Sequence, residues 1–509
     1  MSAILRVEGK LSQVLSAATL ETIASAALLE FLGTRRWFGA KAEARAARIG
    51  HVIALPWDAP PSAIARVDVT LDDGTMQHYQ LPLTVRTDDE PREKTERAVL
   101  ARVESDVERG DLFDAAGDSA FRDRLGAAFA RGETFASGGA TWSVERVGEG
   151  ADLSNARGKV IGAEQSNTSI VYGDRAILKL FRRLEPGVHP DAEASRFLTE
   201  RTSFRNTPAL LGLIASEANG ERTIAGMLSA LVPNAQDAWA YVLERARAYY
   251  NAKGDQPQNG FSIEARDLGA ATRQLHDALA SVSDDADFAP VAATEDDVHD
   301  WAEAAREQME RSLALLESRV ATLDPMAQAA GRALLARRDA LEEHVDESAD
   351  AIGDDAGMLI RHHGDFHLGQ VLRAGDGRWM IIDFEGEPSR ALEDRRARSS
   401  PLRDVAGMLR SFAYAAATVA AELRGNSVNT KLELRSSWFE RDVRRAFLDG
   451  YASPDDGARP PALLPRDADD VTRVLSLFEI EKTFYELAYE LNHRPAWAWI
   501  PLRAIAKML

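Results

Sequence analysis

No cysteine occurs among the 509 residues. Disulfides, thiolate metal sites, iron–sulfur clusters and cysteine nucleophiles are thereby excluded, and a reducing cytoplasmic setting is expected. Positive charge is in deficit: 61 Lys and Arg stand against 80 Asp and Glu, a formal net charge of −19. A nucleic-acid surface needs net or clustered positive charge, so no nucleic-acid partner is expected. No apolar run reaches the roughly 18 residues of a membrane span, and none is expected. Arg6, Glu8 and Lys10 break the apolar start, which argues against a signal peptide. Four catalytic or nucleotide-binding patterns are also missing: G-x-x-x-x-G-K-[ST], a complete G-x-G-x-x-G, H-E-x-x-H and G-x-S-x-G. P-loop enzymes, Rossmann dehydrogenases, zincins and α/β-hydrolases therefore lack support.

What is present is an ordinary soluble composition, 45% hydrophobic and rich in alanine. It suffices for a sizeable core and favours helix over strand. At about 150 residues per domain the length implies two to four domains. Residues 1–105 open with a helical stretch around Leu11–Phe31, followed by Arg36-Trp37-Phe38. In Ile64–Leu71, Val67, Val69 and Leu71 alternate with Arg66, Asp68 and Thr70, which predicts a half-buried strand. Gln77–Leu83 is placed to pair with it across Asp72-Asp73-Gly74. Between 106 and 233 the pattern predicts strands at Lys159–Ala163, Thr168–Tyr172, Ala176–Phe181 and Thr223–Leu231, with a helix over Asp191–Glu200. After Pro233 it turns helical, interrupted by strand-like runs at Met358–Arg361 and Trp379–Phe384.

The strongest chemical signal is His362-His363-Gly364-Asp365-Phe366-His367-Leu368-Gly369-Gln370, followed by Ile381-Ile382-Asp383-Phe384-Glu385. Phosphoryl transfer needs a carboxylate to orient and deprotonate an attacking hydroxyl, and oxygen ligands for magnesium. Asp365 fits the base, and Asp383 and the Gln370 amide fit the metal. A second signal is Gln165-Ser166-Asn167-Thr168-Ser169 before Ala176-Ile177-Leu178-Lys179-Leu180-Phe181. A polar inter-strand loop can donate N–H and hydroxyl groups to phosphates. Lys179 inside an apolar strand wants a partner, such as Glu193 on the next helix or ATP phosphates. Taken alone, it reads equally well as an exposed residue on an edge strand. A third signal is the helical run Phe478–Pro495. Helical spacing aligns Lys482, Glu486, Tyr489 and His493, with Tyr485 on the neighbouring face. Carboxylates and tyrosines suit a sugar, although a solvated helix face has the same composition.

With these segments in view the chain resembles the bacterial maltokinases, within the aminoglycoside-phosphotransferase and protein-kinase-like superfamily. The resemblance rests on Arg36-Trp37-Phe38, Gln165 to Ser169, Leu178 to Arg183, His363-Gly364-Asp365 through Gln370 and Asp383 through Pro388. It is completed by Pro401 to Met408 and Glu481 through Pro495. It implies an α+β, bilobal, kinase-like fold with an N-terminal cap: cap at 1–105, β-rich ATP-binding lobe at 106–233, mostly α lobe at 234–509. It implies ATP- and Mg²⁺-dependent phosphorylation of maltose at its anomeric hydroxyl, giving maltose 1-phosphate for α-glucan synthesis. Asp365 takes the catalytic base, Gln370 and Asp383 the metal, and Lys179 the phosphates with Glu193 as its partner. Gln165, Ser166, Asn167, Thr168 and Ser169 join the nucleotide site, and Ala230 to Val232 form the hinge facing adenine. Lys482, Tyr485, Glu486 and Tyr489, with His367 and Glu385, are the sugar-site candidates. Association with a trehalose synthase is a further implication. Two alternatives stay open, a kinase of this fold for another sugar, glucosamine or an aminoglycoside, and a nucleotide-sensing pseudokinase.

Overall fold

The computed structural model describes every residue except 1–2, 41–42, 58, 91–98, 162–166, 255–257, 259, 388–389, 425–429, 454–462 and 509. Gln165 and Ser166 therefore lie outside the described residues. The chain forms two compact units, Met1–Arg201 with Pro208–Pro233, and Thr202–Thr207 with Asn234–Leu509. The first holds both large sheets and the second most of the helix, an α+β arrangement.

In the first unit, one sheet runs Ala3–Arg6, Val99–Glu104, Arg109–Asp114, Met76–Thr87, Ser62–Leu71, Ala44–Leu55 in spatial order. Ser62–Leu71 pairs with Met76–Thr87 through the expected turn. The alternation in this strand predicts one wet face, yet both faces are largely covered. Val67 and Val69 pack in the core with Leu28, Phe31 and Trp37, while Ile64 joins a second core with Phe121 and Trp142. The polar positions survive burial because Asp68, 2% exposed, is met by Arg48 at 2.6 Å, Arg66 at 2.8 Å and His78 at 2.8 Å. The expected helix over Leu11–Phe31 is broken into a 3₁₀ turn Leu11–Leu15 and helices Ala17–Leu20 and Ser25–Gly33. Hydroxyls break it: Ser16 caps Thr19 N, and Thr22 bonds back to Thr19 O.

The second sheet is antiparallel throughout, in the order Thr134–Ser137, Ala140–Arg146, Leu210–Ala218, Glu221–Ala230, Ala176–Phe181, Asn167–Tyr172, Gly158–Ile161. Leu178 and Leu180 point into the core beneath helix Ser119–Arg131, and Lys179 lies on the opposite face, aligned with Ser169 and Met227. The two sheets are joined inside this unit. Arg183–Leu184 pairs with Tyr79 and His78, and Gln80, 1% exposed, sits at the seam. The Gln80 amide donates to Phe181 O and Ala225 O at 3.0 Å each and accepts from Trp142 Nε1 at 3.0 Å.

The second unit is a helical assembly around Phe261, Trp379, Phe412 and Phe439, whose rings meet edge-on or stacked. Its long helices are Ser262–Leu279, Glu295–Arg319, Leu402–Arg424, Thr430–Ala452 and Ala468–His493. Two shorter helices, Pro325–Leu335 and Arg338–Asp350, lie between the second and third of these. A hairpin of Val371–Arg373 and Trp379–Ile381 is anchored by Asn206, which donates to Trp379 O at 2.9 Å and accepts from Ile381 N at 2.7 Å. Among the described residues no helix is long and apolar enough to cross a membrane.

Gln80→Leu would leave one indole N–H and two carbonyls unpaired at a dry seam, at about 1–3 kcal/mol per buried group. We expect a loss of about 3–5 kcal/mol, read as a lowered urea midpoint. A midpoint unchanged from the wild type would show that the seam does not depend on this amide.

Candidate functional site

The residues after strand Met358–Leu359 are drawn into a tight loop by one carboxylate. Asp404, in the first turn of helix Leu402–Arg424, is 2% exposed. Its Oδ2 accepts from His363 N at 2.7 Å and its Oδ1 from Gly364 N at 2.9 Å. His276 Nε2 stands 3.1 Å from Oδ2, and His276 Nδ1 2.8 Å from the Tyr451 hydroxyl. Burial pushes the Asp404 carboxyl up, but the His276 hydrogen bond and the charges of the neighbouring histidines outweigh it and hold it far below the usual range. Gly407 admits the helix to the loop, since a Cβ there would lie 2.5 Å from Phe366 O. Gly364 has φ +82°, a conformation that L side chains rarely adopt.

The loop that results is internally braced. His363 Nδ1 accepts from Asp365 N at 3.4 Å and its Nε2 lies 3.0 Å from Ile382 O, so the proton sits on Nε2. Its ring packs between Phe366 and Phe384. His362 is driven by burial to a pKa of about 4 and is neutral at ordinary pH.

Asp365 emerges from this loop with its side chain 22% exposed. Lys482 Nζ donates to Oδ1 at 3.5 Å, and His367 Nε2 stands 3.7 Å from Oδ2. Burial raises its pKa, but His367 and Lys482 lower it further, to about 2. The Lys482 ammonium also lies 4.9 Å from the Tyr485 ring centroid. Burial and Glu387 push the Tyr485 hydroxyl well above its ordinary value, and it hydrogen-bonds Glu387. Asp365, Lys482, Tyr485, Phe478 and Glu481 line a cavity of about 280 Å³ with Glu307, Gln308 and Arg311 of helix Glu295–Arg319.

Gln370 and Asp383 flank the hairpin: Val371 pairs with Ile381, and Ile382 N donates to Gln370 O at 3.0 Å. Asp383 has φ +73°, costly for a residue with a Cβ and characteristic of functional loops. One oxygen of Asp383 and one of Glu385 lie within 4.8 Å of each other.

Some predicted residues face elsewhere. Glu486 lies off the cavity: its carboxylate accepts from Arg410 Nε at 2.9 Å and Nη2 at 2.7 Å, both side chains largely buried. Tyr489, 43% exposed, stacks on His493. In the first unit, Thr168 and Ser169 align with Leu180 and Lys179, Ala230 with Ala176, and Glu193 lies in the first turn of helix Pro190–Arg201. Asn167 begins the strand, aligned with Phe181, and Val232 is half-buried beyond its sheet. Sequence reasoning gave no role to Asp404, Arg403, Arg390 or Glu387. Asp404 lies in the Pro401–Met408 segment quoted for the resemblance, but no local pattern there marks it as an anchor for a distant loop.

Residues 31–118 match the family model described as the maltokinase N-terminal cap domain. Two relatives are a glucosamine kinase of Streptacidiphilus jiangxiensis, 27% identical over 73% of this chain and 77% of that protein, and a glucosamine kinase of Mycolicibacterium smegmatis (strain ATCC 700084 / mc(2)155), 29% identical over 70% and 80%. A solved glucosamine kinase in complex with glucosamine, ADP and inorganic phosphate aligns with a TM-score of 0.66 at 23% identity, over 99% of this chain and 100% of that one. The chain thus shares the α+β fold of that kinase and is similar to the maltokinases in its cap, as its motifs suggested.

Two outcomes follow from this geometry. Asp404→Asn puts an amide NH₂ against donors that now meet a carboxylate; a loss of about 2–4 kcal/mol is expected by denaturant titration, and a wild-type value would remove Asp404 as the anchor. Asp365 has a lowered pKa, so its stabilisation is complete above about pH 4 and is lost as the pH falls toward 2. Lys482→Met should raise the Asp365 pKa, as read by carboxyl ¹³C NMR; no change would mean that Lys482 does not hold it down.

Proposed function

We propose that this chain is an ATP-dependent sugar kinase that phosphorylates the anomeric hydroxyl of a neutral disaccharide, maltose, to give maltose 1-phosphate. The observation that carries this reading is an ionised carboxylate, Asp365, on a braced loop at the wall of a polar cavity large enough for a sugar. In this reading the acceptor hydroxyl donates its hydrogen bond to Asp365, which orients it and takes its proton as the bond to phosphorus forms. Lys482 offsets charge beside the reacting oxygen, and Tyr485 offers a ring face to the sugar. Lys179, Glu193 and Asn167 to Ser169, with Gln165 and Ser166, serve the nucleotide, and Ala230 to Val232 the adenine. The chain divides functionally into a cap at 1–105, a nucleotide-binding part at 106–233 and an acceptor part at 234–509.

The Asp383, Glu385 and Gln370 side chains offer only oxygen donors of the hard type magnesium prefers, two of them close together, so this set fits a divalent ion. Such an ion, when bound, neutralises charge on the nucleotide phosphates. Gln370 and Asp383 are assigned to it, with Glu385 beside them.

The relatives named glucosamine kinase favour a second reading, an aminosugar acceptor. Charge in the cavity favours the first. Glu307 is paired with Arg311 at 3.1 Å, Glu387 with Arg390 at 3.5 Å, and Glu481 with Arg390 at 3.3 Å and Arg403 at 3.0 Å. A protonated amine entering here meets carboxylates already neutralised and several cations, whereas hydroxyls carry no such penalty. Association with a trehalose synthase belongs to the same reading and is open to co-purification.

Coupled ATP turnover on maltose, glucose, glucosamine and kanamycin, with the product identified by ³¹P NMR, tests the proposal. Maltose should exceed glucosamine in kcat/KM by tenfold or more. The reverse order would overturn the neutral acceptor but keep the kinase; no turnover on any acceptor would overturn both. Asp365→Asn should retain ATP binding and lose about 10²–10⁴ in turnover, and undiminished turnover would overturn its role as base.

A further inference from the structure

Arg182 directly follows the strand that carries Lys179, and it is among the most deeply buried of the described side chains, 1% exposed. Three groups hold its guanidinium. Nη2 pairs with Asp114 Oδ2 at 2.9 Å, Nε donates to Thr168 Oγ1 at 2.9 Å, and the plane lies 4.9 Å from the Trp37 ring centroid. The Nη1 nitrogen is buried with no acceptor among the described residues, so orientation rests on those three partners. Trp37 and Asp114 both belong to the segment that matches the cap model, and Trp37 is the centre of the Arg36-Trp37-Phe38 motif. Thr168 belongs to the other sheet, aligned with Leu180 beside the Lys179–Ser169 pair. A planar guanidinium holds a carboxylate and a hydroxyl in one plane while its face lies on an aromatic ring, a fixed geometry that a freely rotating ammonium does not impose.

We propose that Arg182 is a positioning residue through which Trp37 and Asp114, both within the matched segment 31–118, set the orientation of Asn167 to Ser169 for the phosphates of a nucleoside triphosphate. This rests on the function proposed above. A mere structural staple would need only charge balance and volume, which the aligned strands do not require from so specific a fork. The arrangement instead couples Trp37 and Asp114 to the first hydroxyl of strand Asn167–Tyr172. The cap then acts on nucleotide affinity and leaves acceptor affinity alone.

The test uses the full chain. In Asp114→Asn the ATP Kd by calorimetry, and the KM for ATP, should rise tenfold or more while the acceptor KM stays within twofold. The neutral double variant Asp114→Asn with Arg182→Gln should recover melting temperature but not ATP affinity, which separates positioning from folding. Should Asp114→Asn not fold, Trp37→Phe should raise the ATP Kd two- to fivefold in folded protein. Wild-type ATP affinity in either folded single variant, or recovery of affinity along with melting temperature in the double variant, would overturn the inference alone. A wild-type enzyme that binds no ATP would overturn it together with the proposed function.

Discussion

The local chemistry of the second unit depends on the buried carboxylate of Asp404. It accepts two consecutive backbone N–H groups, His363 and Gly364, and faces His276 from another helix. Backbone donors in a loop have no ladder to satisfy them, so a loop cannot ordinarily be buried. Here a single side chain supplies the missing acceptors, and Gly407 lets its helix come close enough to do so. Once those two amides are held, the following residue has little freedom. Asp365 then projects from a rigid base, with His363 locked between two phenylalanines beneath it.

Much of this was legible because the relevant spacing is short. Asp365, His367 and Gln370 fall within six positions, and Gln370 with Asp383 flanks one hairpin, so local pattern carries the information. Lys482 and Tyr485 were named through the family resemblance and both line the cavity, whereas helical spacing by itself grouped Lys482 with Glu486 and Tyr489, which are not in that lining. What was hidden depends on partners far along the chain. Glu486 and Arg410 are separated by 76 positions, and Glu479 and Arg444 by 35. Helix Ala468–His493 carries acidic residues on several faces, and periodicity cannot distinguish a solvated Glu from one turned inward to a guanidinium. The same holds for Arg66 and Asp68, whose alternation reads as a wet strand face until His78 and Arg48 cover it.

A common device links the two units taken separately. In each, guanidinium groups make buried carboxylates tolerable: Arg182 with Asp114, Arg410 with Glu486, Arg403 with Glu481. Arginine serves because its charge is diffuse and its donors are fixed in a plane. A buried ion pair adds little net stability over an apolar replacement, but breaking one side of it is severe. Such pairs therefore favour one arrangement strongly over its near neighbours, which suits surfaces that must hold polar groups in register.

The acidic excess of the chain, −19 overall, makes the charge balance of the cavity informative. A chain with that surplus has carboxylates to spare for binding a cation. Around Asp365 they are instead paired: Glu307 with Arg311, Glu481 with both Arg390 and Arg403, and Asp365 itself with Lys482. Matching costs desolvation for every group involved, and it leaves a lining of fixed dipoles with little net field. A ligand that fills such a space gains through many directional hydrogen bonds and ring contacts, and gains nothing from bearing charge. Hydroxyl groups meet that condition without the desolvation cost of a charge, and Asp365, though paired with Lys482, keeps one carboxylate oxygen clear of that ammonium.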